Sequence, residues 1–267
     1  MKTTILSSVL ASAVLCPMML CSCGQPSVQK NESQTAAPSA ETEAKVPESR
    51  IPAVDLGLSV KWAPCNVGAE KPEDFGNFYA WGETKGMGEE DESNLRNYVA
   101  TDSCCVKNLY DWATYKFCNG SKSSLTKYCL DAADGTVDGK NALDMDDDAA
   151  RANMGGRWRM PTSSELGELR EKCTWTWTET NGVKGYNVVG PNGNSIFLPA
   201  AGCRSNQSRG LVADKGPKNV GGGGYWSSNI GSEKASSFAW RLIFGEKVVS
   251  FSYESRCEGA TIRAVCE

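Results

Sequence analysis

The sequence predicts an α+β domain, and three observations carry that prediction. Segments of alternating apolar and polar residues, separated by glycine- and asparagine-containing turns, fill the second half of the chain. Thr162-Ser-Ser-Glu165, ahead of Leu166 and Leu169, has the spacing of a helix N-terminal capping box. The 267 residues include 27 glycines and 8 tryptophans, which suits a loop-rich fold anchored by bulky side chains better than a helical bundle.

In chain order, Val54 to Trp62 alternates and reads as a first strand, and Phe75 to Trp81 as a second extended segment. Residues 84–140 are polar, with scattered aromatics and turn signals, and read as a long, mostly irregular insertion. Asp144 to Asn153 reads as a short helix with acids in its first turn, where they complement the helix dipole. Arg157 to Pro161 is extended, and the helix capped by Thr162 ends near Cys173. Strands and turns follow. Trp175-Thr-Trp177 alternates, and Asn181-Gly182 signals a hairpin. Residues 185–189 and 195–198 flank the turn Pro191-Asn-Gly193. Gly221 to Gly224 reads as flexible loop, followed by an extended Tyr225 to Ser228. Phe238 to Phe244 and Lys247 to Tyr253 read as paired strands around Gly245, and Ala260 to Cys266 as a last short strand.

The N-terminus has the form of a lipoprotein signal peptide over residues 1–22. Lys2 supplies the positive charge, and the apolar run from Ile5 to Leu15 is too short to span a bilayer permanently. Leu20-Cys21-Ser22-Cys23 resembles a lipobox, in which small residues precede the cut and the cysteine sulfur carries the lipid. Lipidation is therefore expected at Cys23, with a membrane as partner through the acyl chains. Gly24 to Arg50 has no aromatic and few apolar residues, so residues 23–50 are expected to form a disordered tether spanning roughly 30 Å. Residues 51–267 are one domain's worth of chain. An outer-membrane position is expected. No acid follows Cys23 until Glu32, so a periplasmic face and a surface face both stay open.

The formal net charge of −4 gives no reason to expect a nucleic-acid partner. The absence of histidine excludes Ser-His-Asp and Cys-His catalysis and histidine-ligated zinc. Of the 12 cysteines, nine follow Cys23. Cys118 and Cys129 flank a polar turn and form a candidate disulfide; Cys104 and Cys105 are adjacent, where a bridge is strained. Asp144, Asp146, Asp147 and Asp148 form the densest acidic cluster. Either helix capping or calcium binding suits it, although an EF-hand register from Asp144 fails at Ala149 and Gly155. No other cofactor is indicated.

VDLGLSVKWAPCNVGA, FYAWGET, DDAARANMGGRWRMPTSSEL, NSIFLPAAGCR, YWSS and the late TIRAV resemble the Fibrobacter succinogenes major paralogous domain, frequent in Bacteroidetes lipoproteins. The resemblance covers residues 54–267. It implies a C-type lectin-like fold with two short helices, a small twisted antiparallel sheet and long loops. It also implies a binding or adhesion domain whose ligand is a glycan or a protein, or else a structural component of the envelope. The fold hosts binders and enzymes alike. The acidic-Pro-Asn and Trp-Asn-Asp triplets of calcium-dependent lectins do not occur. Formylglycine-generating chemistry would need a late cysteine pair, for which Cys257 and Cys266 are too widely spaced. A non-catalytic role is therefore expected. By analogy with related binding folds, Tyr225, Trp226, Trp240, Phe251 and Tyr253, with Arg204, Asn206, Gln207, Arg209 and Arg256, form the candidate contact surface, while core packing is the alternative for the tryptophans. Trp62, Trp81 and Trp158 are expected in the core.

Overall fold

The computed structural model describes residues 51–86, 110–205, 222–232 and 235–267. Among these, three small antiparallel sheets and two short α-helices make up the regular structure, as an α+β reading expects. Strand β1 (Lys61–Trp62) pairs with β8 (Val265–Cys266). Strands β2 (Thr174–Thr180), β3 (Val183–Val189) and β4 (Ser195–Pro199) form a meander, as do β5 (Gly222–Ser232), β6 (Ala235–Gly245) and β7 (Val248–Ser255). No helix among the described residues is long and apolar enough to cross a membrane.

The capping box forms as its spacing predicts. Helix α2 (Ser163–Lys172) begins where Glu165 N–H donates to Thr162 Oγ1 at 3.2 Å and Thr162 N–H donates to the Glu165 carboxylate at 2.8 Å. Arg159 donates to the same carboxylate from both terminal nitrogens, at 2.8 and 2.6 Å, tying the preceding extended segment to the helix start. Leu166 and Leu169 form the buried face. The turn between β2 and β3 uses Asn181 and Gly182 at φ of 50° and 80°, the left-handed pair that a tight two-residue hairpin requires.

The sequence expectation departs from the structure at several elements. The first strand shrinks to Lys61–Trp62, and only a single bridge from Val54 to Trp62 remains of the rest. Gly57 there has φ of 74°, which breaks the extended run. The helix expected over residues 144–153 divides into a 3-10 turn (Met145–Asp147) and α1 (Ala149–Met154), because Asp148 is extended and serves as the N-cap of α1. Gly222 to Gly224 are not loop but the start of β5. A side chain at Gly222 would meet the Phe244 carbonyl at 2.2 Å, and one at Gly223 the Phe244 ring at 2.4 Å. The glycines mark a close approach of β5 to β6.

The β5–β6–β7 sheet lies between two cores. Trp226, Ile230 and Ala239 face one, with Trp81, Tyr128 and Trp158; Tyr225, Leu242 and Phe244 face the other, with Trp62, Leu166 and Leu169. Alternation along each strand accounts for this division, since neighbouring residues point to opposite faces. Trp62, Trp81 and Trp158 are fully buried, as expected. The described part of the insertion is largely irregular, yet it supplies Tyr115, Phe117 and Tyr128 to the first core. Their rings meet edge to face, with Phe117 and Tyr128 centroids 5.4 Å apart.

Candidate functional site

The structure divides the expected contact surface. Tyr225 and Trp226 are buried, on opposite faces of β5. Trp226 Nε1 donates to the Tyr79 carbonyl at 2.8 Å and Tyr225 Oη to the Pro199 carbonyl at 2.9 Å, so both are core anchors and not contact residues. Arg256 is also fully buried. Its nitrogens donate to Tyr115 Oη and to the carbonyls of Lys127, Tyr128 and Ser236 at 2.9–3.1 Å. The rings of Trp81, Tyr115 and Tyr128 surround it at 4.7–5.8 Å. Arg204 is 2% exposed and stacks 3.6 Å from the Phe78 ring centroid. These four belong to the interior. Asn206, Gln207 and Arg209 lie outside the described residues, as do Cys23, Cys104 and Cys105.

Trp240, Phe251 and Tyr253 remain together at the surface. Trp240 pairs with Tyr253 across β6 and β7, with ring centroids 4.1 Å apart. Phe251 meets Trp240 edge to face at 5.6 Å, and the Arg170 guanidinium of α2 lies 4.9 Å from the Phe251 ring. Trp240 and Phe251 are half-buried and Tyr253 is 48% exposed. The result is an aromatic ledge on the rim of the second core. An indole and a phenol held side by side present flat apolar faces with polar tips, a surface suited to sugar rings or to a protein side chain.

A second feature lies on the other face of the same sheet. Gly202, Cys203, Gly222, Gly223, Gly224, Arg241, Ile243 and Phe244 line a shallow open cleft of about 160 Å³. The Arg241 side chain is 5% exposed. Its terminal nitrogens face Glu258 at 3.3 Å and Glu254 at 3.4 Å. Its Nε has no hydrogen-bond partner among the described residues. Burial pushes the Glu258 carboxyl above its ordinary range, against the pull of Arg241. Burial likewise pushes the Cys203 thiol up, with Arg241 opposing. The sequence reading passed over Arg241, Glu254, Glu258 and Cys203. The usable signal was the glycine tract, which marked a strand edge kept free of side chains.

The acidic cluster serves lysines and backbone. Asp147 accepts from Lys116 at 2.8 Å, Lys127 at 2.6 Å and Tyr128 Oη at 2.7 Å. Burial opposes its ionisation, but these donors together hold its carboxyl below the ordinary value. Lys127 and Lys140 hold the Asp144 carboxyl down to about 2. Asp148 accepts from the backbone N–H groups of Arg151 and Met160 at 3.0 and 2.8 Å, which is the capping role the sequence allowed. Asp146 is exposed. Among the described residues no three acidic or cysteine side chains gather as a ligand set. The candidate disulfide is corrected. Cys118 and Cys129 are separate thiols, Cys118 donating to the Trp112 carbonyl at 3.0 Å and Cys129 to that of Asp131 at 3.1 Å. Cys257 and Cys266 are also free, and burial pushes the Cys257 thiol up to about 12.

Neither the family models, nor the curated proteins, nor the solved structures include a match to this chain.

Proposed function

We propose that this chain is a cell-envelope lipoprotein, lipidated at Cys23, whose folded region is a non-catalytic binding module. In this reading the architecture is C-type lectin-like and belongs with the Fibrobacter succinogenes major paralogous domain. The pairing of β1 with β8, which joins early and late chain, and the two short helices support the architectural part. The lipobox-like Leu20-Cys21-Ser22-Cys23 supports the anchor.

The observation that carries the binding role is the Trp240–Tyr253 pair, its rings 4.1 Å apart and tilted at 48° beside Phe251, with nearly half of Tyr253 exposed. A ring pair of this kind contributes packing to the second core and still offers a face to a ligand. An envelope glycan is the ligand class that such a face suits best. A glycan array with the purified protein, wild-type against the double variant Trp240→Ala/Tyr253→Ala, tests it. Binding that falls at least about tenfold in the variant, while the far-ultraviolet circular dichroism is unchanged, supports the ledge; undiminished binding removes it. The anchor is tested separately by labelling cells with an alkyne-bearing palmitate analogue: Cys23→Ser abolishes incorporation if the lipid is there.

A further inference from the structure

We propose that this chain forms a symmetric dimer in which β7 pairs antiparallel, edge to edge, with β7 of a second copy about a twofold axis at Phe251.

The edge is set by the hairpin. Among the described residues β7 is the last strand of its sheet. The opposite end of that sheet is closed: Gly202 N–H donates to the Gly222 carbonyl at 2.9 Å, and Thr261 N–H to that of Gly224 at 3.2 Å. Glu246-Lys247 is a two-residue loop closed by the pair Gly245–Val248, so Val248, Ser250, Ser252 and Glu254 direct their backbone groups at β6. Arg256, of the same parity, donates its N–H to the Ser237 carbonyl at 3.1 Å. Val249, Phe251 and Tyr253 therefore turn their N–H and carbonyl groups outward, where no backbone group among the described residues meets them.

This edge is unguarded. Edge strands are commonly blunted by proline, lysine, a bulge or short length. β7 has eight residues, pairs with β6 without a register shift and contains no proline, lysine or glycine. β5, by contrast, carries two register shifts. Five large apolar side chains are exposed among the described residues; Val248 and Tyr253 lie on β7, and none lies on β2, the end strand of the first meander.

The occupant follows from the sequence of β7, which is complementary to itself. With Phe251 on the axis, Phe251 faces its own copy, Val249 faces Tyr253, Ser250 faces Ser252 and Val248 faces Glu254. The outward pairs each exchange two backbone hydrogen bonds, and Val249, Phe251 and Tyr253 of both copies join in one apolar row. Arg170, over the Phe251 ring, brings Glu171 bonded at 3.1 Å, so each copy carries a neutral pair toward the axis. Moving the axis to Ser250 would set Glu246 against Glu254, a like-charge contact. Moving it to Ser252 would leave Val248 beyond the end of the facing strand. The axis is perpendicular to the sheet, so both Trp240–Tyr253 ledges face the same way and a ligand with two epitopes would engage both. Only this last consequence rests on the ledge as a binding surface.

Sedimentation equilibrium of the full chain in density-matched detergent, with amide hydrogen exchange, tests the dimer. A concentration-dependent dimer with a Kd on the order of 10 μM is expected. Exchange at the amides of Val249, Phe251 and Tyr253 is expected to slow at least about tenfold from monomer to dimer, while the amides facing β6 stay as they were. The register is tested at Val248, which is 57% exposed and so is free to change without loss of the fold. Val248→Glu, which opposes like charges across the axis, is expected to weaken the dimer at least about threefold, and Val248→Lys, which opposes Glu254 with a cation, to tighten it by about as much. A monomer at every concentration, an oligomer in which those three amides exchange as fast as before, or Val248 variants that shift the equilibrium alike overturns the proposal.

Discussion

Arg241 and Arg256 stand fifteen positions apart, both buried, and their surroundings differ in kind. Arg256 sits in a cage of one hydroxyl, three carbonyls and three aromatic rings, with four hydrogen bonds spread over all three of its nitrogens. Arg241 has two carboxylates at 3.3 and 3.4 Å, one ring at 5.1 Å, and an Nε that meets no acceptor among the described residues. The first guanidinium is saturated by its own fold and therefore acts as a structural rivet. The second is incompletely paired beside an open cleft. Two arginines equally withdrawn from solvent therefore differ in how fully their donors are satisfied.

The comparison breaks most visibly in stability. Arg256→Met strands the carbonyls of Lys127, Tyr128 and Ser236 in the interior, and a loss of about 4 kcal/mol in denaturant unfolding is expected. Arg241→Met leaves Glu254 and Glu258 without their cation, but their side chains keep 28% and 20% of their exposure, and the expected loss is about 1–2 kcal/mol. Equal losses would erase the distinction between the two arginines.

A smaller effect is expected from acid. The folded-state pKa of Asp144 is depressed to about 2 and that of Asp147 is also lowered, against an unfolded value of about 3.9. Depressed carboxylates contribute stability that is present above the unfolded value and is lost as pH falls through the folded one. Unfolding midpoints should therefore fall between about pH 4 and pH 2, and Asp147→Asn should flatten that fall while costing about 2 kcal/mol at neutral pH. A variant with the wild-type acid profile would mean that the lysine hub around Asp147 is not a source of stability. Smallest is Gly224→Ala, expected within about 1 kcal/mol of wild type by thermal unfolding, because only a slight shift of the Arg241 stem makes room. A larger loss would place Gly224 with the rivets.

The sequence disclosed the fold where chemistry is local. The capping box at Thr162 and Glu165, the Asn181-Gly182 turn and the pairing of β6 with β7 around Gly245 each depend on residues a few positions apart. The contact surface depends on which face of a strand looks outward, and that is settled by distant chain. Tyr225 and Trp226 have cores on both sides because β5 is enclosed, whereas Trp240 is half-buried and Tyr253 48% exposed. The acidic run misled for a related reason: its lysine partners Lys116, Lys127 and Lys140 are scattered through the insertion. Arg241 was passed over because an arginine in an alternating strand looks like an outward-facing polar residue until its partners, Glu254 and Glu258, are placed on the next strand and turn.

The Arg256 cage also constrains the order in which the molecule assembles. Its bonds to the Tyr128 and Lys127 carbonyls join residues 128 and 129 positions apart, and Arg263 reaches back to Asn66 across 197. Contacts of that separation form slowly, because a long loop must close before they contribute. A chain emerging from its N-terminal end therefore holds the insertion's aromatic residues without their central cation until Arg256 has appeared. Consolidation of the first core is a late event, and a chain interrupted before that point would expose Tyr115, Phe117 and Tyr128 to whatever chaperone or protease attends its synthesis.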